Sequence, residues 1–141
     1  MNTNLVSAQL DSLGSELMDA VSNLNPQITD RNVGETGSGY LTINVGNFLL
    51  RIVIDRGEKM LEIAISRPYP NWFDFDLVVE LVNGTKWFFP KSMSEKFKFL
   101  KEKSRLISDQ IIHEPDRFEA SLAELSNARG LSLFNSAASK Q

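Results

Sequence analysis

Carboxylates set among large aromatic side chains are the residues of this chain best placed to do chemistry. The run Trp72-Phe73-Asp74-Phe75-Asp76 leads into Glu80. Two carboxylates share acid–base work only when both face one reacting group. On a helix, Asp74 and Asp76 stand two positions apart and do not face each other, so the spacing does not make a catalytic pair. Two readings remain. In one, the carboxylates favour the positive end of a helix and the aromatics enter the core. In the other, aromatic anchors with acidic neighbours form a surface for a basic protein partner. Asp55-Arg56-Gly57-Glu58 divides the same way, between turn geometry and partner contact. The candidate partner-binding residues are therefore Asp55, Glu58, Trp72, Asp74, Asp76 and Glu80.

Other chemistries narrow quickly. The chain has no cysteine and a single histidine, His113. Thiolate nucleophiles, disulfides, cysteine-based zinc sites and two-histidine mechanisms are excluded. His113 fits the C-terminal end of a helix, where a cation is favoured. Gly34-Glu35-Thr36-Gly37-Ser38-Gly39 is glycine-rich, but it lacks a P-loop lysine and leads into a strand rather than a helix. No nucleophile, base and oxyanion donor can be named together. The expectation is a protein with no catalytic residues, no metal and no cofactor. The competing enzyme reading would use carboxylates such as Asp74 and Glu80, and requires them to converge in one deep pocket.

A second cluster is basic. Lys91, Lys96, Lys98, Lys101, Lys103 and Arg105 are interleaved with Phe97 and Phe99. Such patches can displace phosphate counterions. Here the better reading is the solvated outer face of an amphipathic helix whose phenylalanines point inward, because the chain as a whole is acidic and carries no nucleic-acid motif. Residues 1–85 hold 5 Lys+Arg against 11 Asp+Glu, and residues 86–105 hold 7 against 2. The molecule is an acidic body with one basic segment.

These residues need elements to position them. Leu10, Leu13, Leu17, Val21 and Leu24 recur at helical spacing and predict a helix over residues 5–23, ended by Asn25-Pro26. Gly14 inside it is a cost. Residues 25–39 read as a loop of turn formers, with room for a short strand at Gln27–Thr29. The period then changes to two. Leu41, Ile43 and Val45, then Phe48, Leu50, Ile52 and Ile54, then Leu61, Ile63 and Ile65 predict a three-stranded antiparallel meander, with tight turns at Gly46-Asn47 and Arg56-Gly57. Pro68 and Pro70 break the pattern. Residues 72–83 predict a helix capped by Asn71 and stopped at Asn83-Gly84, with a strand through Leu77-Val78-Val79 as the alternative. Thr85–Phe89 is a candidate further strand. Residues 93–112 predict a long helix on Phe97, Leu100, Ser104, Ile107 and Ile111. Pro115 opens another, striped by Phe118, Leu122 and Leu125 and closed at Gly130.

The expected architecture is α+β: an antiparallel meander of three to four strands packed against an N-terminal helix and C-terminal helices. Its 141 residues fit one domain, taken as residues 1–130, with 131–141 as a frayed tail. The first residues lack the basic and apolar regions of a signal peptide, and no apolar run is long enough to span a bilayer. The expected location is cytoplasmic.

The order helix, meander, Asp55-Arg56-Gly57-Glu58 turn, aliphatic strand and Trp72-Phe73-Asp74-Phe75 opening into Leu77-Val78-Val79-Glu80-Leu81 resembles the small bacterial immunity proteins of polymorphic-toxin and contact-dependent growth inhibition systems. The resemblance covers residues 40–82. It implies non-catalytic binding of one cognate toxin domain, often a nuclease and therefore basic. A rival resemblance is to type III secretion chaperones, which implies a homodimer that binds an effector segment. This chain departs from their pattern by offering one strand rather than two before the last helices.

Overall fold

A computed structural model describes residues 3–84 and 91–139. In chain order its elements are α1 (Thr3–Ala20), a 3₁₀ turn (Ser22–Leu24), β1 (Gln27–Val33), β2 (Ser38–Asn44), β3 (Phe48–Asp55), β4 (Glu58–Ile65), β5 (Phe73–Asp74), α2 (Phe75–Asn83), α3 (Met93–His113) and α4 (Pro115–Ser139). The five strands form one antiparallel sheet in the order β1-β2-β3-β4-β5. This is the expected α+β meander, extended by a strand at each edge.

The two predicted hairpins set the register. Arg56 and Gly57 both adopt positive φ, at 50° and 89°, as a two-residue type I′ turn requires. Asp55 therefore faces Glu58, and pairing back along the strands puts Ile52 opposite Leu61 and Leu50 opposite Ile63. The Gly46-Asn47 turn likewise sets Asn44 opposite Leu49 and Leu41 opposite Ile52. Side chains alternate across a strand, so this register gathers Leu41, Ile43, Leu50, Ile52, Ile54, Leu61, Ile63 and Ile65 on one face, where all are buried.

The helices cover that face. Val6, Leu10, Leu17 and Val21 of α1 and the segment after it join one core with Leu100, Ile107 and Ile111 of α3, Phe75, Val78 and Val79 of α2, and Phe118 and Leu122 of α4. Phe75 meets Phe99 edge-on at 6.0 Å between ring centres. Gly14 gains a role that propensity alone did not show. A Cβ there would stand 2.5 Å from Leu41 Cδ2, and one at Gly39 would stand 2.8 Å from the Asn32 carbonyl oxygen and close to Val6 and Leu10. Both glycines let α1 lie directly on β2. Polar clamps complete the layer. Asn47 in the β2–β3 turn donates to the Ser108 carbonyl (2.9 Å) and accepts from the Ser108 hydroxyl (3.2 Å). Ser104 donates to Asn23 at 3.2 Å.

Several expectations need correction. The predicted loop over 25–39 contains a seven-residue strand, β1, rather than a three-residue fragment. Its residues are nearly all exposed, so the apolar alternation that marks a strand is missing. Arg31 ties it to α1 through the Ser7 hydroxyl (2.6 Å) and Asp11 (3.1 Å). The helix predicted over 72–83 starts at Phe75, and its cap is Asp74 rather than Asn71, with Asp74 Oδ1 accepting from the Asp76 backbone N–H at 2.9 Å. Phe73 and Asp74 instead pair with Ile63 and Glu62. Helix α4 runs past Gly130 to Ser139; Gly130 keeps a negative φ and so does not form the left-handed cap expected of it. The candidate strand at Thr85–Phe89 lies outside the described residues. Among the described residues, no helix is long and apolar enough to cross a membrane.

The glycines give a paired test. Gly39→Ala places a methyl against backbone and should lower unfolding stability by about 1–3 kcal/mol. Gly130→Ala meets open space on an exposed helix and should raise it by about 1 kcal/mol. Urea unfolding of the two variants against the parent chain measures both.

Candidate functional site

The register that buries one face of the sheet places Tyr40, Thr42, Arg51, Val53, Met60 and Glu62 on the other. Arg51 stands at its centre. Directly opposite on β4, Glu62 Oε1 accepts from both Arg51 Nε (2.9 Å) and Nη2 (2.7 Å). The guanidinium lies over the Trp72 ring, 4.0 Å from its centre, and 5.9 Å from the Tyr40 ring. A planar cation stacks on such rings and still donates in its own plane. Asp30 of β1 completes the row. Its carboxylate, through a hydrogen bond to the phenol and then through its charge, raises Tyr40 above the ordinary tyrosine range. The row Asp30, Tyr40, Arg51, Trp72 and Glu62 crosses the sheet from one edge to the other. These side chains are only partly buried or, for Asp30, exposed.

A second cluster lies inside. Asp76, in the first turn of α2, is 2% exposed, and Lys96 of α3 is 6% exposed across a 3.7 Å ion pair. One helical turn beyond Asp76, Glu80 pairs with Arg129 of α4 at 3.1 Å. Each pair bolts α2 to a neighbouring helix. Burial raises the Asp76 carboxyl above the usual carboxylate range, opposed by the Lys96 charge and reinforced by Asp74; Arg129 and the Lys91 backbone N–H pull it back. Lys96 is thus not part of the solvated basic face predicted for α3. Lys98, Lys101, Lys103 and Arg105 are exposed there, while Phe97 is buried. Ser92 and Glu95 form a capping box at the start of α3, and the Ser92 N–H, then its hydroxyl, hold Glu95 below its ordinary range.

The six predicted residues therefore separate into three groups. Trp72 belongs to the open face, and Asp74, exposed beside it, pairs in register with Glu62. Asp55 and Glu58 close the β3–β4 hairpin, about 13 Å along the strands from Arg51 and Glu62 at roughly 3.3 Å per residue. Asp76 and Glu80 correct the expectation of a carboxylate surface: their charges are engaged within the helical layer. Asp74 and Glu80 have separate tasks, Asp74 capping α2 and Glu80 pairing with Arg129 of α4. A crevice between β4, β5 and α4 is lined by Ile63, Ala64, Ile65, Phe73, Phe118, Glu119 and Leu122. Arg51, Tyr40, Glu62 and Asp30 were not singled out from sequence. The signal for the Arg51–Glu62 pair was present: with Asp55 and Glu58 flanking a two-residue turn, counting back four residues on each strand sets these two opposite one another.

No family model matches the chain, and neither a curated protein nor a solved structure does. What the geometry itself offers is an aromatic and guanidinium surface in which Arg51 is held by Glu62 and stacked on Trp72. Among the described residues, no group of three or more acidic or histidine side chains is arranged to hold a metal ion.

The buried pair yields a pH-dependent prediction. Lys96→Met leaves Asp76 buried without its cation and should cost about 3–5 kcal/mol at neutral pH. Because the folded-state value of Asp76 is raised, the fold holds that proton over a window in which the unfolded chain has released it. The residue's contribution is most favourable below the ordinary carboxylate range and is lost as pH rises through the raised value. The penalty of Lys96→Met should accordingly shrink as pH falls from 7 towards 4. The double change Asp76→Asn with Lys96→Met should recover most of it. Denaturant midpoints across that pH range decide the matter.

Proposed function

We propose that the protein is a non-catalytic binding protein that acts in the cytoplasm as an immunity protein, capturing and neutralising a basic toxin domain. The observation that carries this reading is the Tyr40–Arg51–Trp72 row on the partly exposed face of the sheet. Tyrosine, arginine and tryptophan are the side chains that most often dominate protein interfaces, because each combines large contact area with a directed polar group. Here they are already stacked and hydrogen-bonded, so little ordering cost remains at association.

Charge supports the choice of partner. Residues 1–85, which contain the whole sheet, hold 11 acidic residues against 5 basic ones. Arg51 is matched by Glu62, while Asp30, Asp74 and Glu58 are exposed. A nuclease toxin is cationic because its substrate is a polyanion. An acidic inhibitor gains association rate from that opposition. The resemblance to immunity proteins over residues 40–82 points the same way. The carboxylates that face such a partner are Asp55, Glu58 and Asp74, with Asp76 and Glu80 serving the fold.

The test is protection. Cells producing the toxin domain encoded by a neighbouring reading frame should survive when this protein is co-produced, and failure to protect rejects the reading. In a binding assay with that domain, Trp72→Ala should weaken affinity by about 30-fold or more, the equivalent of roughly 2 kcal/mol. Neutralising Asp55, Glu58 and Asp74 together should slow association and flatten its dependence on salt. Neutralising Lys98, Lys101 and Lys103 should leave association unchanged or faster. Isolation instead as a stable homodimer carrying an effector segment would replace this reading with the secretion chaperone.

A further inference from the structure

The segment between β4 and β5 contains Arg67-Pro68-Tyr69-Pro70-Asn71. Tyr69 is 89% exposed, more than any other large hydrophobic side chain among the described residues. One exposed tyrosine is ordinary on a protein surface; what sets Tyr69 apart is the loop that holds its ring away from the body of the protein. The loop that holds it is not slack. Proline fixes its own φ, and a residue preceding proline is confined to extended conformations, so Tyr69 is restricted from both sides.

Both shoulders of the loop are fastened to one carboxylate. Glu119, in the second turn of α4, accepts from Asn71 Nδ2 at 3.1 Å on Oε1 and pairs with Arg67 Nη2 at 3.4 Å on Oε2. Arg67 also stands 3.8 Å from Asp116. At the root of the loop, Ser66 N–H donates to the Asn47 carbonyl at 3.1 Å. Beneath it, Phe118 and Leu122 seat the start of α4 against Ile63, Ile65 and Phe73. The crest is thus a short rigid arch with a tyrosine at its tip.

We infer that this arch is a plug that inserts the Tyr69 ring into a cleft with a basic rim on the partner protein. The inference rests on the proposed function and adds the point at which the partner's cleft is entered. Charge selects the occupant. Against the single Arg67 cation the arch sets three carboxylates: Glu119, Asp116, which is 97% exposed at its side, and Asp74, exposed at its exit, so its balance is negative. Trp72 lies three residues beyond Tyr69 and stacks on Arg51, so the plug runs directly into the open face of the sheet. A pre-formed aromatic projection contributes to affinity chiefly by avoiding the cost of ordering a loop.

The experiment is calorimetric titration of the full chain with the purified toxin domain from the adjoining reading frame. Tyr69→Ala should weaken binding by about 30-fold, with no change in the unfolding midpoint of the free protein. Tyr69→Phe should retain affinity within about threefold, because the ring fills the cleft. Glu119→Gln should leave the ring intact and weaken binding by a smaller factor than Tyr69→Ala, because it loosens the Arg67 fastening. Tyr69→Ala binding within twofold of the parent chain overturns the plug while leaving the immunity reading in place. If the parent chain itself does not bind that domain, the immunity reading falls and the plug falls with it.

Discussion

The register of the β2–β3–β4 meander is the constraint on which the rest of the molecule depends. A shift of one residue in either hairpin would send Ile52, Leu61 and their neighbours to the solvent side and bring Arg51 and Glu62 into the core. The two-residue turns forbid that shift. Arg56 accepts a left-handed conformation, uncommon for a side chain of its size, and so keeps Asp55 opposite Glu58. Once the apolar set is on one side, α1 and α3 have a surface to cover. The opposite side is left with Tyr40, Arg51 and Glu62 in adjacent strands. Core and candidate binding face are two consequences of one pairing.

Close approach of the first helix follows from the same pairing. Gly39 lies on the covered face of β2, opposite Ile54. With Gly14 facing Leu41, it removes the two methyl groups that would hold α1 away from the sheet. The intrinsic helix preference given up at Gly14, about 1 kcal/mol, is set against burial of Val6, Leu10, Leu17 and Leu41. Completely burying a leucine or valine side chain is worth roughly 1.5–3 kcal/mol each. Packing therefore decides in favour of glycine in the middle of a helix.

How much was legible in the sequence depended on whether a residue's neighbours were local. The meander, both tight turns and the helices of the C-terminal half could be read because alternation, turn chemistry and helical spacing are properties of short windows. Strand β1 could not. It is an edge strand exposed on both sides, so no apolar period marks it, and its place is set by pairing to β2 and by Arg31 reaching α1. The carboxylates were harder still. Asp76 and Glu80 look like surface residues until Lys96 and Arg129 arrive from helices 20 and 49 positions away. For Lys96 a local clue did exist. It precedes Leu100 by four positions and Ser104 by eight, so it lies on the buried stripe of α3 rather than opposite it. A lysine there requires a partner, and Asp76 supplies it.

That division of the charged residues shapes what the protein can offer a partner. A charge already matched inside the fold gives nothing further at an interface without first breaking its pair, which is strongly unfavourable when the pair is buried. Asp76 and Glu80 are therefore withdrawn from recognition, and so is Lys96. Arg51 differs in degree: its Glu62 pair is partly exposed, with each side chain at 26%, and its ring stack leaves its environment half open. A partner that covers this face would desolvate the pair without having to separate it, strengthening the electrostatic interaction already present. An interface built on such a centre favours a partner whose own charges lie at the rim, facing Asp74 and Glu58, rather than over Arg51. In the proposed complex, the acidic edge would steer the encounter and the stacked, neutralised centre would hold it.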